Sequence, residues 1–268
     1  MKFSVITANL NMLPYLKKCH ASIMDQNVDV EHIIVDGGST DGSVEWIKDN
    51  PNIISIIGKD KSMYDAINKG FDIAKGEYIS FLNADEQLLP KSLKKATNLF
   101  DKYLNYDFIY GNRIVIDHQN KFLKVKKSLP FNRNIIIYSH FYISSCSTFF
   151  RRSVLDSKLR FNDKLISVGD ADFFINAMNK GFSSKYINES FATFMFTGDN
   201  LSYSDKAKIE RRKWQKETAS GNILKLLFYK LFAYTLKLFS GYYIPSKIKL
   251  FKIYINNLAT REVVYTKK

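Results

Sequence analysis

Short apolar runs alternate with helix-length segments through the first 110 residues. The runs are Phe3–Thr7, His32–Val35, Ile53–Ile57, Tyr78–Leu82 and Phe108–Tyr110. Between them lie periodic stretches near Leu13–Asp25, Ser43–Asn50, Tyr64–Lys75 and Lys91–Tyr103. A strand that must cross over through a helix before its neighbour forms pairs in parallel, so this alternation predicts an α/β fold with a mostly parallel central sheet flanked by helices. A hairpin-like pair, Arg113–Asp117 and Lys121–Val125, follows around His118-Gln119-Asn120, and the pattern is then mixed up to about residue 200. Such irregular regions commonly carry the variable part of a binding site.

Charge divides the chain differently. Residues 204–268 hold 15 Lys and Arg against 4 acids, so +11 of the net +14 lies there. That asymmetry points to an anionic partner for the C-terminal part alone. The expected organisation is a domain over 1–203, split into halves 1–110 and 111–203, and a basic helical extension over 204–268 broken at Ser220-Gly221-Asn222, Ser240-Gly241 and Pro245. Within the extension, Ile223–Phe239 is aromatic and apolar but carries Lys225, Lys230 and Lys237. Three charges argue against a membrane span and for a helix lying on an anionic membrane surface, supported by Lys247, Lys249 and Lys252. The alternatives are packing back on the first domain or pairing with a second copy in a homodimer. Two cysteines, Cys19 and Cys146, without pairing spacing fit a reducing compartment and neither a disulfide framework nor a zinc site. The N-terminal run, interrupted at Asn9 and Asn11, reads as a strand rather than a signal peptide.

Three segments carry chemistry. Ile33-Ile34-Val35-Asp36-Gly37-Gly38-Ser39-Thr40-Asp41 runs from a buried strand into a Gly-rich turn, where a carboxylate can meet a nucleobase or ribose; equally, Asp36 and Asp41 can shape the turn and cap the next helix. Phe81-Leu82-Asn83-Ala84-Asp85-Glu86 ends a strand in two acids, the oxygen-ligand pattern of a Mg²⁺ or Mn²⁺ diphosphate site, although an acidic pair by itself is more often a solvated loop. Val168-Gly169-Asp170-Ala171-Asp172 opens an apolar helix. Asp172 reads as a dipole-stabilising acid of the first turn, and Asp170 as a general base if its loop faces the metal site.

In this order and at these separations, the segments resemble glycosyltransferase family 2, the bacterial surface-polysaccharide enzymes with the A-type nucleotide-sugar-binding fold. The resemblance extends over roughly residues 3–200 and includes Ile6-Thr7-Ala8-Asn9 and Lys59-Asp60-Lys61-Ser62-Met63-Tyr64-Asp65-Ala66-Ile67-Asn68-Lys69-Gly70, close to the family's D-K-G-x-Y-D-A-x-N-K-G stretch. It implies an inverting, metal-dependent enzyme moving a sugar from a nucleoside-diphosphate sugar, a UDP-sugar above others, to a saccharide or lipid-linked acceptor on the inner face of the cytoplasmic membrane. It places the D-x-D element on Asn83-Ala84-Asp85, with Asp85 the ligand of Mn²⁺ or Mg²⁺ and Asn83 at ribose or phosphate. Thr7, Asn9 and Asp36 are implied for the nucleotide, Asp65 and Asn68 for the donor pocket, Asp170 for the catalytic base, and Ser147-Thr148-Phe149-Phe150 for the acceptor side. This chain departs from the pattern at Asn83, at Glu86, at Gly37 and at Ser145-Cys146, where the family has Asp, Asp, a base-contacting Asp and His-Gln. An inactive homologue and a sugar-nucleotide nucleotidyltransferase are the nearer alternatives. The latter lacks its phosphate loop, since Asn9-Leu10-Asn11-Met12-Leu13-Pro14 is not Gly-rich. A nucleic-acid-binding module conflicts with basic charge on apolar helices rather than on a sheet.

Overall fold

Seven elements build the parallel part of the sheet: β1 (Phe3–Asn9), α1 (Leu13–Met24), β2 (Val30–Asp36), α2 (Ser43–Lys48), β3 (Ile53–Ile57), α3 (Met63–Ile73) and β4 (Tyr78–Asn83). They belong to a computed structural model that describes residues 2–198, 204–219, 223–240, 242–244 and 248–266. β1 pairs in parallel with β2 on one side and β4 on the other, and β2 with β3. The strand order therefore begins 3-2-1-4. Chain connection reverses direction beside β1, which opens a crevice at the carboxyl ends of these strands. Register brings Asn9 opposite Asp36 and Ala8 opposite Asn83, so three candidate residues end their strands at one level. β1 and β4 are covered on both faces, which is why they read as continuous apolar runs.

The next stretch is mixed. It contains β5 (Gln87–Leu88), α4 (Ser92–Lys102), β6 (Phe108–Asp117), β7 (Phe122–Lys126), α5 (Arg133–Tyr138), a 3₁₀ turn at Ser145–Ser147, β8 (Thr148–Arg151), α6 (Ser153–Asp156), α7 (Gly169–Asn179) and β9 (Ser184–Phe196). β8 lies antiparallel between β4 and β6, while β6 pairs in parallel with β9. The sheet is thus parallel at its donor end and mixed beyond β4. Phe108–Tyr110 and Arg113–Asp117, expected as separate strands, form one. Between them the β6–β9 register shifts around Asn112, and a Cβ on Gly111 would come within 2.4 Å of the Glu189 carbonyl oxygen. A glycine that looks like a break in sequence is here a close backbone approach within a strand.

Downstream come α8 (Asp205–Thr218), α9 (Ile223–Phe239) and a two-stranded hairpin, β10 (Leu250–Ile253) with β11 (Glu262–Tyr265). The hairpin corrects the expectation of an all-helical extension. It is fastened to the first part of the chain: Arg261 reaches both Asp25 carboxylate oxygens and the Leu88 and Ser22 carbonyls, and the Gln87 side chain pairs with the Tyr254 backbone at 2.8 and 3.0 Å. The expected boundary at 203, the break at Ser220-Gly221-Asn222, Gly241, Pro245 and Lys247 lie outside the described residues. Among the described residues no helix is long and apolar enough to cross a membrane.

Candidate active site

At the end of β2 the chain turns sharply, with Gly38 and Gly42 at φ +92° and +90°, a backbone region open to glycine at little cost. Asp36 is fully buried. One of its oxygens accepts the Gly38 and Ser39 N–H groups at 2.9 and 2.7 Å, and the other accepts Asn9 Nδ2 and the Ser39 hydroxyl, both at 2.7 Å. Asp41 accepts the Leu13 and Ser43 N–H groups, and these bonds hold its carboxyl below the usual range. Both acids therefore shape the turn and tie it to the segment after β1. Thr7, implied for the nucleotide, is enclosed beneath β1, where its hydroxyl meets His32 Nε2 at 2.9 Å and Cys19 Sγ at 3.7 Å. Its hydroxyl is thus engaged by the chain itself. Asn9 is nearly buried, and its Oδ1 has no partner.

α3 begins at Ser62, whose hydroxyl accepts the Asp65 N–H at 3.2 Å. Asp65 in turn accepts the Lys61 N–H at 3.0 Å and pairs with Lys69 at 3.2 Å; the Lys61 bond leads the causes that hold its carboxyl down. Asn68, implied for the donor pocket, is committed elsewhere. Its amide donates to the Phe161 carbonyl and accepts the Phe161 N–H, both at 2.9 Å, fixing the loop that leads to α7. Asp60, bound to Lys69, lies 3.4 Å from where a Cβ on Gly37 would stand. A carboxylate thus approaches the position of the base-contacting Asp that Gly37 replaces, from a different strand end.

At the end of β4, Asn83 and Glu86 close a turn in both directions: the Glu86 N–H donates to the Asn83 carbonyl at 3.0 Å, and the Asn83 N–H donates to Glu86 Oε2 at 2.8 Å. Ala84 points into the core with Leu16, Ile34 and Ile47, so only its backbone faces the crevice. Glu86 turns inward and is buried, and its Oε1 has no partner. Burial raises its carboxyl, and the neighbouring charge of Asp85 raises it further. Asp85 is half-buried and is itself raised by burial. Neither Asp85 nor the Asn83 amide makes a side-chain hydrogen bond or ion pair among the described residues.

This donor set fits a hard divalent cation in one specific way. No group of three metal-binding side chains occurs among the described residues. Mg²⁺ and Mn²⁺, however, are commonly held by one or two carboxylates plus substrate phosphates. Asp85, a desolvated carboxylate without a cation beside it among the described residues, could hold such an ion as one ligand, the remaining oxygens then coming from a bound phosphate and water.

Asp170 stands in the first turn of α7. The adjacent Gly169 allows Tyr64 to approach, since a Cβ there would fall 2.4 Å from the Tyr64 ring, and the Asp170 N–H donates to the Tyr64 hydroxyl at 3.3 Å. Burial raises the Asp170 carboxyl, while the Ser145 and Tyr64 hydroxyls and the Arg113 charge pull it part of the way back. Its Oδ1 is enclosed without a partner. Asp170 also lines a small cavity with Ser145, Thr148 and six phenylalanines, including Phe81 and Phe173. The charges of both Asp85 and Asp170 act on Glu86, and so does that of Arg113. The carboxylates at the end of β4 and at the start of α7 therefore belong to one electrostatic site.

Several members of that site were not singled out by sequence. Ser145, noted only as a departure, faces Asp170, and the buried Cys146 thiol faces Glu86. Arg113 is the one cation of β6, a strand buried over most of its length, which is the signal that could have marked it. Glu210 of α8 accepts the Ile166, Ser167 and Val168 N–H groups at 2.7, 2.7 and 3.2 Å, just ahead of Asp170. Asp172 accepts the Trp214 indole N–H at 2.9 Å in addition to standing near the helix start. The Asp170 loop is thereby held from one side by α3 and from the other by α8.

A crevice at a sheet switch point, with Asp85 at one strand end and Asp170 opening α7, is the place where open α/β sheets bind their ligands. The profile of Glycosyl transferase family 2 matches residues 4–159, more than half of the chain, and the chain belongs to that family of glycosyltransferases. It is 29% identical over 220 residues to the PGL/p-HBAD biosynthesis glycosyltransferase of Mycobacterium bovis, covering 78% of this chain and 83% of the relative. It is 25% identical over 209 residues to the chondroitin synthase of Escherichia coli, covering 74% of this chain and 29% of that one. Among solved structures, S. aureus TarS 1–349 in complex with UDP-GlcNAc superposes with TM-score 0.61 at 18% identity, over 92% of this chain and 77% of that one. The mannosyltransferase PcManGT from Pyrobaculum calidifontis, in complex with GDP-Man and Mn²⁺, superposes with TM-score 0.58 at 13% identity, over 91% and 76%. The expected A-type glycosyltransferase fold is thus observed.

Proposed function

We propose that this chain transfers a sugar from a UDP-sugar to a hydroxyl of a saccharide or lipid-linked saccharide, with inversion at the anomeric carbon, in the assembly of a surface polysaccharide such as O-antigen, capsule or exopolysaccharide. The observation that carries the reading is the pair of acids left unengaged by the chain: Asp85 just past β4, with no side-chain partner among the described residues, and Asp170 in the first turn of α7, with an enclosed, unpartnered Oδ1. TarS bound to UDP-GlcNAc and the polysaccharide-related name of the E. coli relative support the donor and the product class.

In the proposed step the acceptor hydroxyl bonds to the anomeric carbon as the bond to the nucleoside diphosphate breaks on the opposite face. Asp170 takes the hydroxyl proton; its enclosed, unpartnered Oδ1 and raised carboxyl suit a base in a water-poor cavity. Asp85 and the diphosphate would hold the Mn²⁺ or Mg²⁺, which when bound offsets the charge growing on the leaving phosphate. Asp36 and Asn9 keep the turn that lies against the nucleotide, and Asn83 offers the amide nearest to ribose or phosphate. The test is a thermal-shift series on the full chain with UDP, GDP and their sugars, with Mn²⁺ and with chelator. UDP-sugars should raise the midpoint only with the cation, because a ligand bound solely by the folded state stabilises it by mass action. No shift by any of them would leave the inactive-homologue reading standing.

The same proposal places the chain on the inner face of the cytoplasmic membrane through α9. One side of that helix packs inward, with Tyr229 stacked on Tyr138 at 5.4 Å and Ala233 buried. The other side presents Leu227, Phe228, Leu231 and Leu238, each at least half exposed. An apolar stripe flanked by lysines suits an anionic lipid surface. Leu227→Glu with Leu231→Glu should abolish sedimentation with phosphatidylglycerol vesicles, and unchanged sedimentation would refute this part.

A further inference from the structure

Near the carboxylates of this site the chain gathers cations that form no ion pair among the described residues. Arg113 of β6 and Lys126 of β7 are cross-strand partners. Arg113 lies over the Phe194 ring at 4.2 Å, and its enclosed Nε has no acceptor. Lys237 of α9 donates to His140 Nε2 at 2.8 Å and lies over the Tyr242 ring at 4.9 Å. Because an ammonium only donates, His140 is neutral and its lone pair fixes Lys237 in place. Arg211 stands on α8, one turn before Gln215, whose amide donates to the Ile137 carbonyl just ahead of His140, and its charge reaches both Lys126 and His140. None of these four cations forms an ion pair among the described residues.

This grouping is costly as it stands. Burial and the charges of Arg113, Lys124, Lys237 and Arg211 pull Lys126 down to about 7, and burial with Lys237, Lys126 and Arg211 pulls His140 down to about 4. Exposed lysines avoid such repulsion by turning to solvent, whereas Lys126 is half-buried within the ladder. β6, which carries Arg113, packs against the Ser145–Ser147 turn, and Ser145 lines one cavity with Asp170, so the cationic group borders the side of the cleft where Asp170 would meet an acceptor. Glu210, next to Arg211, is committed to the backbone of residues 166–168.

We propose that Arg113, Lys126, Arg211 and Lys237 form a phosphate-binding subsite for the acceptor, so that the acceptor carries a phosphate ester or diester close to the hydroxyl that is glycosylated. The proposal rests on the glycosyltransfer reading above. Two other sources of phosphate exist, the donor diphosphate and a lipid headgroup, and the test separates them.

The experiment titrates glycerol 3-phosphate, with glycerol as the neutral control, into the full chain already saturated with UDP and Mn²⁺. Wild type should bind the phosphate and not glycerol, more weakly as salt is raised. Lys126→Met and the exposed-site variant Arg211→Gln should each weaken it by about tenfold, the loss of one charge-assisted contact. Affinity for UDP and sedimentation with phosphatidylglycerol vesicles should stay within about twofold, since neither site loses a contact. Lys126→Met should melt no lower than wild type, because a repelled cation has been removed. Phosphate binding that survives both substitutions overturns the proposal. So does a matching loss of UDP affinity, which would assign the cations to the donor, or of vesicle binding, which would assign them to the membrane. Failure of wild type to bind UDP would remove the glycosyltransfer reading and this one together, whereas UDP binding without phosphate binding removes only this one.

Discussion

The two halves of the cleft differ in how their polar groups are satisfied. On the parallel side, Asp36, Asp41, Asp65 and Asn68 are bound by the chain's own N–H, amide and hydroxyl groups. On the mixed side, Asp170 Oδ1 and Arg113 Nε are enclosed without partners, and the neighbouring cations form no ion pair among the described residues. On the parallel side the exceptions are Asn9 Oδ1 and, past the end of β4 where the two sides meet, Glu86 Oε1 and the Asp85 carboxylate. A buried polar group left unpaired costs about 1–3 kcal/mol, and this penalty gathers from the end of β4 into the mixed side while the turns after β2 and β3 are satisfied. Under the proposed function, the contrast teaches that one half would serve as a prebuilt mould for the nucleotide, while the other would be completed by what binds there.

The largest effect expected from this contrast is on turnover. Asp170→Asn removes the proton acceptor but keeps the shape and the Tyr64 contact, so it should lower transfer by about 10²–10⁴ while UDP affinity is unchanged. Turnover near that of wild type, measured as UDP release, would show that the unsatisfied half does not supply the base. Next in size, Asp85→Ala should weaken Mn²⁺-dependent UDP binding by at least about tenfold and erase the difference between Mn²⁺ and chelator, because the diphosphate loses its bridge to the protein. Calorimetry showing the same Mn²⁺-dependent affinity in the variant would move the cation away from the end of β4.

The same contrast explains what the sequence discloses. Strand, turn and helix in the parallel half are local features: the runs Phe3–Thr7, His32–Val35 and Tyr78–Leu82 and the helix from Tyr64 onward are visible as composition and spacing, and the observed elements end at Asn9, Asp36 and Asn83 and begin at Met63, within a few residues of those bounds. The mixed half depends on long-range pairing. That β8 would insert between β4 and β6, or that Gly111 lies inside a strand rather than at its end, is set by contacts with residues far away in sequence. Residue types marked positions but not partners. Asp170 was visible as an acid opening a helix, yet Ser145, Arg113 and Glu210 reach its surroundings from three other elements. The hairpin over 250–265 was hidden for a similar reason, since its anchors Asp25 and Gln87 lie more than 160 positions earlier.

The smallest expected effect bears most directly on where the two halves meet. Resemblance implies Asn68 for the donor, whereas its amide pairs with the Phe161 backbone in the manner of a strand neighbour. Phe161 in turn stacks on Tyr64 at 5.0 Å and Phe173 at 4.3 Å, so the pairing transmits the position of α3 to the loop ahead of Asp170. Asn68→Ala leaves one N–H and one C=O unpaired in a partly buried place and should destabilise the fold by about 1–3 kcal/mol. Read as a lower melting point with unchanged UDP affinity, that result makes Asn68 a fastener between the prebuilt half and the half completed by ligand. An unchanged melting point with UDP affinity reduced about tenfold, the worth of one good polar contact, would instead return Asn68 to the donor and show that the Phe161 pairing opens when nucleotide binds.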